Sequence, residues 1–165
     1  MAPLLVFGYG NPSRGDDALG PLLVQALQSE STEFGGHSEI EFLTDFQLQI
    51  EHALDLADRQ LVLFADAHVS CTPPFRFERL AEERDSSYTS HAMSPSAVMH
   101  VYRRTCRSEP PPTFLLSLRG ERFELGGELS SSARANLAAA IQFANVLFQE
   151  PEPSRWLSFC VKADG

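Results

Sequence analysis

Lysine is almost missing from this chain: Lys162 is the only one in 165 residues. With no Gly-Lys-Ser/Thr run, the phosphate-gripping loop of the P-loop nucleotidases is excluded. Positive charge is scarce altogether. Thirteen basic residues against 22 acidic ones leave a net charge of -9, which repels a phosphate backbone and excludes nucleic acid as the expected partner. The one local departure, Arg103, Arg104, Arg107, Arg119 and Arg122, reads first as a solvated face and second as a surface for an acidic partner. No apolar run approaches the roughly 18 residues that would cross a bilayer. Met1 leads straight into a strand-like segment without the charged start of a signal peptide, so the expected location is the cytoplasm. Cysteine is sparse too. Cys71, Cys106 and Cys160 are odd in number, far apart and in no C-x-x-C arrangement, which favours reduced thiols. His68 and Cys71 form H-x-x-C, but without a second pair they are set aside as a metal site.

What is present is enough apolar material, 43% with 12 phenylalanines, for one domain with a proper core. The pattern predicts a strand over 3–7, then a helix with a stripe of Leu19, Leu22, Leu23, Ala26 and Leu27. A second cycle follows, with a strand over 39–43, a helix over 48–57 and a fully buried strand over 61–65. Further along, 74–80 alternates imperfectly like a strand, and "EERDSSYTSH" reads as an exposed loop. Ser94 suits an N-cap, Pro95 the first helical position, and Met93 with Val98 a hydrophobic staple. A strand over 113–118 precedes a long helix striped by Leu137, Ile141, Ala144 and Phe148. The expectation is therefore an α/β domain over 1–150, with a twisted, mostly parallel sheet of about five strands and helices on both faces. Residues 151–165 follow as a tail, whose Trp156 and Phe159 are expected to fold back on the body. The helix stripes all serve the sheet, so a monomer is expected.

The chemistry concentrates in "VFGYGNPSRGDDALGPLLVQAL", residues 6–27. Gly8, Gly10 and Gly15 are spaced G-x-G-x-x-x-x-G, which does not fit the dinucleotide fingerprint G-x-G-x-x-G. A pyrophosphate at that helix start would also compete with Asp16 and Asp17 for the positive end of the dipole. "GNPSRG" is one residue too long for a nucleophile elbow. Capping accounts for one acid of the pair, at about 1 kcal/mol; two are more than a cap needs. In a doubly wound sheet the first and third strands are neighbours, and their carboxyl ends open at the switch point. Asp17 follows the first strand, and Asp66 closes the third in "LFADAH", where desolvation argues for a cleft role. His91, in "YTSHAMSPSAV", is the third candidate, with a surface histidine as the plain alternative. Two carboxylates and an imidazole make an incomplete shell for a borderline divalent metal.

"GYGNPSRGDDALG", "FADA" and "SHAMSP" resemble, in order and separation, the motifs of the hydrogenase maturation endopeptidases. In "DFQLQIEHALDLADRQLVLFADA" the chain is most similar to the members that process the large subunit of soluble, NAD-reducing bidirectional NiFe hydrogenases. The resemblance covers roughly residues 4–148. It implies an α/β fold and removal of a C-terminal extension from the large-subunit precursor after nickel insertion. It implies metal contact, and a catalytic role, for Asp17, Asp66 and His91. The nickel would be supplied by the precursor, with no organic cofactor. The first of these residues is often Glu in the family, so the shorter Asp17 is a departure. Asp16 then takes the cap of the helix start. Set against this reading are a nickel-binding chaperone using the same residues without hydrolysis, a nucleotide-dependent oxidoreductase built on the glycine loop, and a conventional protease.

Overall fold

The structure is a computed structural model and describes residues 2–33, 39–82 and 93–160. Five strands form one sheet in the order β2-β1-β3-β5-β4, with β1 Leu4–Tyr9, β2 Ile40–Asp45, β3 Leu61–His68, β4 Phe75–Arg79 and β5 Thr113–Arg119. All pairings are parallel except β4 with β5. Among the described residues four α-helices accompany them: α1 Leu19–Glu33, α2 Pro95–Cys106, α3 Ser131–Gln149 and α4 Pro153–Phe159.

The pleat divides the strand residues between two cores. Leu4 and Val6 of β1, Leu61, Leu63 and Ala65 of β3, and Phe114, Leu116 and Leu118 of β5 share one face with α1, α3 and Trp156 of α4. Leu5, Phe7 and Tyr9, with Val62 and Phe64, share the other with α2 and the 3-10 helix Ile50–Leu56. Burial on both sides explains why β1 and β3 are unbroken apolar runs in the sequence. The helix expected over 48–57 is this shorter 3-10 element. Its start is fixed by a reciprocal cap, in which the Gln49 side chain accepts from the His52 N–H and His52 Nδ1 accepts from the Gln49 N–H at 2.8 Å.

Several sequence signals translate directly. Ser94 Oγ accepts from Ala97 N–H at 3.1 Å, with Pro95 opening α2 and Met93 and Val98 in the same core. Trp156 is fully buried, with its indole N–H donating to the Leu147 carbonyl at 2.9 Å, so α4 lies against the body. His68 Nδ1 accepts from the N–H groups of Ser70 and Cys71, which makes H-x-x-C a turn closure.

Glycine matters most where α1 meets the sheet. A Cβ on Gly8 would lie 2.3 Å from the Gly20 carbonyl oxygen, and one on Gly20 would lie 2.6 Å from that of Ala65. The two absences let the first turn of α1 rest on the backbones of β1 and β3. They bring the preceding loop over the crevice between those strands, at the point where the connections turn to opposite sides.

Candidate active site

The carboxyl ends of β1, β2 and β3 open on a cavity of about 590 Å³. Both described sequence candidates line it, Asp17 from the short 3-10 turn Gly15–Ala18 and Asp66 from β3. The third, His91, lies outside the described residues. Among the described residues no group of three His, Cys, Asp or Glu side chains is close enough to hold a metal ion, so the described donor set is the two carboxylates.

Asp17 is half-buried, and its Oδ2 accepts from the Asn11 N–H at 2.7 Å. That bond spans the glycine loop. Gly10, at φ 148, is needed there because a Cβ would strike the Asp17 carbonyl oxygen at 2.1 Å.

Asp66 has a different environment. Burial raises its carboxyl, the neighbouring Asp17 carboxylate adds to the rise, and the result is a pKa of about 7. The Ala67 N–H and the Tyr9 hydroxyl donate to it and offset part of the rise. The same contacts push the Tyr9 phenol well above its ordinary value, first through burial and then through the Asp66 charge. Tyr9 thus remains a donor to Asp66 over the whole working range of pH.

The neighbouring acid, Asp16, does not do what its position suggests. The 3-10 turn has no side-chain cap, and Asp16 points away from the cleft into the body, with no exposure. Its carboxylate accepts from the N–H groups of Glu121 (2.7 Å), Arg122 (3.0 Å) and Ser130 (2.8 Å) and from Ser130 Oγ (2.7 Å). Ser130 is itself the N-cap of α3, accepting from Ala133 N–H at 3.2 Å. The expected cap of its own helix is therefore a tie between the first loop and the start of the last long helix. Burial would raise the Asp16 carboxyl, but these four bonds outweigh it and hold the pKa below the usual carboxylate range.

Sequence reasoning passed over three further residues of the cleft: Tyr9, Asp45 and Arg14. The first strand, expected over 3–7, runs on to Tyr9, which places its phenol at the cleft. Asp45 sits opposite Tyr9 in the β1–β2 register, its Oδ1 accepting from Phe46 N–H at 2.7 Å and its Oδ2 lying 3.1 Å from His52 Nε2. Because His52 Nδ1 is already an acceptor, the imidazole proton belongs on Nε2 and is donated to Asp45. Strand alternation running on to residue 45 was the available signal. Arg14 is the one cation among the described lining residues.

Asp17 and Asp66, with a phenol and one guanidinium beside them in an open cleft, can contact a cation and orient water, while Asp45 is engaged by Phe46 N–H and His52. The described lining residues include no Ser, Thr, Cys or Lys, so they offer no covalent nucleophile of the usual kinds. Cys71 is buried under the sheet edge with Sγ 3.6 Å from the Ser117 carbonyl oxygen, and burial pushes its thiol up. A nucleotide pyrophosphate fits poorly where Asp17 occupies the head of the crevice.

No protein-family model and no curated protein sequence matches the chain. Solved structures do. It is similar to the NiFe hydrogenase maturation protease HycI of Thermococcus kodakarensis at 17% identity and a TM-score of 0.66, over 90% of this chain and 94% of that one. The hydrogenase maturating endopeptidase HybD of Escherichia coli is 24% identical, with a TM-score of 0.66 over 88% of this chain and 92% of that one. A hydrogenase 2 maturation peptidase from a Thaumarchaeota archaeon is 22% identical, with a TM-score of 0.62 over 88% and 97%. At these identities the likeness establishes a shared fold, in agreement with the architecture expected from the sequence.

Proposed function

We propose that the chain is a hydrogenase maturation endopeptidase, which removes the C-terminal extension of a NiFe hydrogenase large-subunit precursor once nickel is in place. The observation that carries this reading is the meeting of Asp17 and Asp66 in one cleft at the switch point of a fold shared with proteins of that activity. The motifs around these residues, with "SHAMSP" later in the chain, add support from the sequence. The similarity of residues 45–67 to the proteases of soluble, NAD-reducing bidirectional hydrogenases makes such a precursor the substrate to try first.

In this reading nickel is part of the substrate. Asp17 and Asp66 supply oxygen contacts from adjoining elements, and His91 supplies a nitrogen contact. Asp66 holds a proton near neutral pH in the free enzyme, and an arriving cation displaces it, because opposite charge favours the ionised form. The metal then polarises the scissile carbonyl or an attacking water. Nickel has to arrive with the precursor, since so few ligands recruit a divalent ion weakly by themselves. No step needs a second copy of the chain, so the enzyme acts as a monomer.

The test is incubation with precursor prepared from nickel-replete and nickel-starved cells, followed by mass measurement. The expected result is a shortened chain from the first preparation only. Nickel retained on an uncut precursor would make the protein a chaperone, and cleavage of both preparations would remove the metal from recognition.

A further inference from the structure

The charge of the cleft poses a problem for peptide hydrolysis. Attack on a scissile carbonyl turns its oxygen into an anion, which Asp45 opposes and which Asp17 and Asp66, as oxygen contacts of the incoming cation, give no donor to stabilise. Arg14 is the one cationic side chain among the described residues lining the same cavity. Its guanidinium takes part in no hydrogen bond or ion pair among the described residues. Arg59, Arg76, Arg103, Arg119 and Arg155 are engaged; of the described arginines that are not, Arg14 alone lines this cavity.

The main chain of Arg14 is fixed although its side chain is exposed. Its N–H donates to the Asn11 carbonyl at 3.1 Å, and its carbonyl accepts from Asp17 N–H at 3.0 Å. The next residue, Gly15, has φ 53 and is pressed so closely on the Arg122 carbonyl that a Cβ would lie 2.4 Å from that oxygen. The turn that presents Asp17 to the cleft therefore presents Arg14 as well, on a backbone held at both ends.

We propose that Arg14 is the oxyanion-stabilising residue of the cleft, donating from its guanidinium to the scissile carbonyl oxygen as negative charge develops there. A planar fork of donors suits this task, and a positive charge gains most where the surroundings are otherwise acidic. The proposal rests on the endopeptidase reading and adds to it a group belonging to the enzyme rather than to the incoming metal.

The experiment compares wild type, Arg14→Ala and Arg14→Lys on nickel-loaded precursor under single-turnover and steady-state conditions. In Arg14→Ala, kcat should fall by about a hundredfold or more with KM within about twofold, because the contact forms only in the transition state. Arg14→Lys should recover part of the rate, and millimolar guanidinium should restore part of it to Arg14→Ala and none to wild type. Thermal unfolding of both variants should match wild type, since the side chain holds nothing together. An Arg14→Ala enzyme with wild-type kcat, or one impaired only in KM, overturns the proposal while the endopeptidase reading stands. A wild-type enzyme that leaves the precursor uncut overturns both.

Discussion

The two sides of the first loop treat a carboxylate in opposite ways. On the inner side, Asp16 has no exposure, yet four donors surround it and its pKa lies below the usual range. On the cleft side, Asp66 keeps some exposure, yet among the described residues only the Ala67 N–H and the Tyr9 hydroxyl donate to it, a like charge stands nearby, and its pKa rises to about 7. Burial alone does not separate them. The supply of donors among the described residues does.

The largest effect expected from breaking this contrast is on activity. Asp17→Asn and Asp66→Asn each remove an anionic oxygen from the cleft and should slow precursor processing by about a thousandfold, equivalent to roughly 4 kcal/mol of lost transition-state stabilisation. A gel assay resolves this, and wild-type rates in either variant would take that residue out of the site.

Next comes Asp16→Asn, which places an amide among donors that all point at it. Breaking such a buried, charge-assisted set should cost about 4 kcal/mol of stability, measured by denaturant unfolding. Had Asp16 been only a helix cap, the same substitution would be nearly silent.

A smaller effect concerns pH. Asp66 titrates near 4 when unfolded and about 7 when folded, so the folded state binds its proton more tightly. Its contribution is harmless below about pH 4, and it destabilises increasingly up to about pH 7. A rise from 4 to 7 is worth about 4 kcal/mol in a sealed site; at this partly exposed one, about half is expected. Asp66→Asn should therefore be more stable than wild type at pH 8 and equal to it at pH 4, with thermal melts at both values as the check. Equal stability at pH 8 would place the carboxyl in water. The smallest effect is that of Ser130→Ala, about 1 kcal/mol, because Asp16 keeps three N–H donors and α3 loses only its cap.

The fold was legible because its signals are local. Unbroken apolar runs marked β1 and β3, and Ser94-Pro95 marked the start of α2. Asp17 and Asp66 could be paired because strand order alone brings the ends of β1 and β3 together. The role of Asp16 could not be read this way. Its partners lie 105 to 114 residues along the chain, and a capping rule sees only the next turn. Tyr9 and Arg14 lie within the same glycine loop motif, but no spacing rule gives either a role, and only the cavity makes them neighbours of Asp66 and Asp17.

The same long separation has a consequence during synthesis. The glycine loop leaves the ribosome before its partners do, and Asp16 lacks all four of its donors until residues 121 to 130 have followed. Until then the loop has only its local turns, and closing so long a span is slow relative to forming a helix. Nascent chains in which residue 121 is still held inside the ribosome should accordingly be cut within the first loop by a probing protease, and chains in which residue 130 has emerged should resist. On this expectation the tie at Asp16 sets the order of assembly: the cleft takes shape only after residues 121 to 130 have emerged.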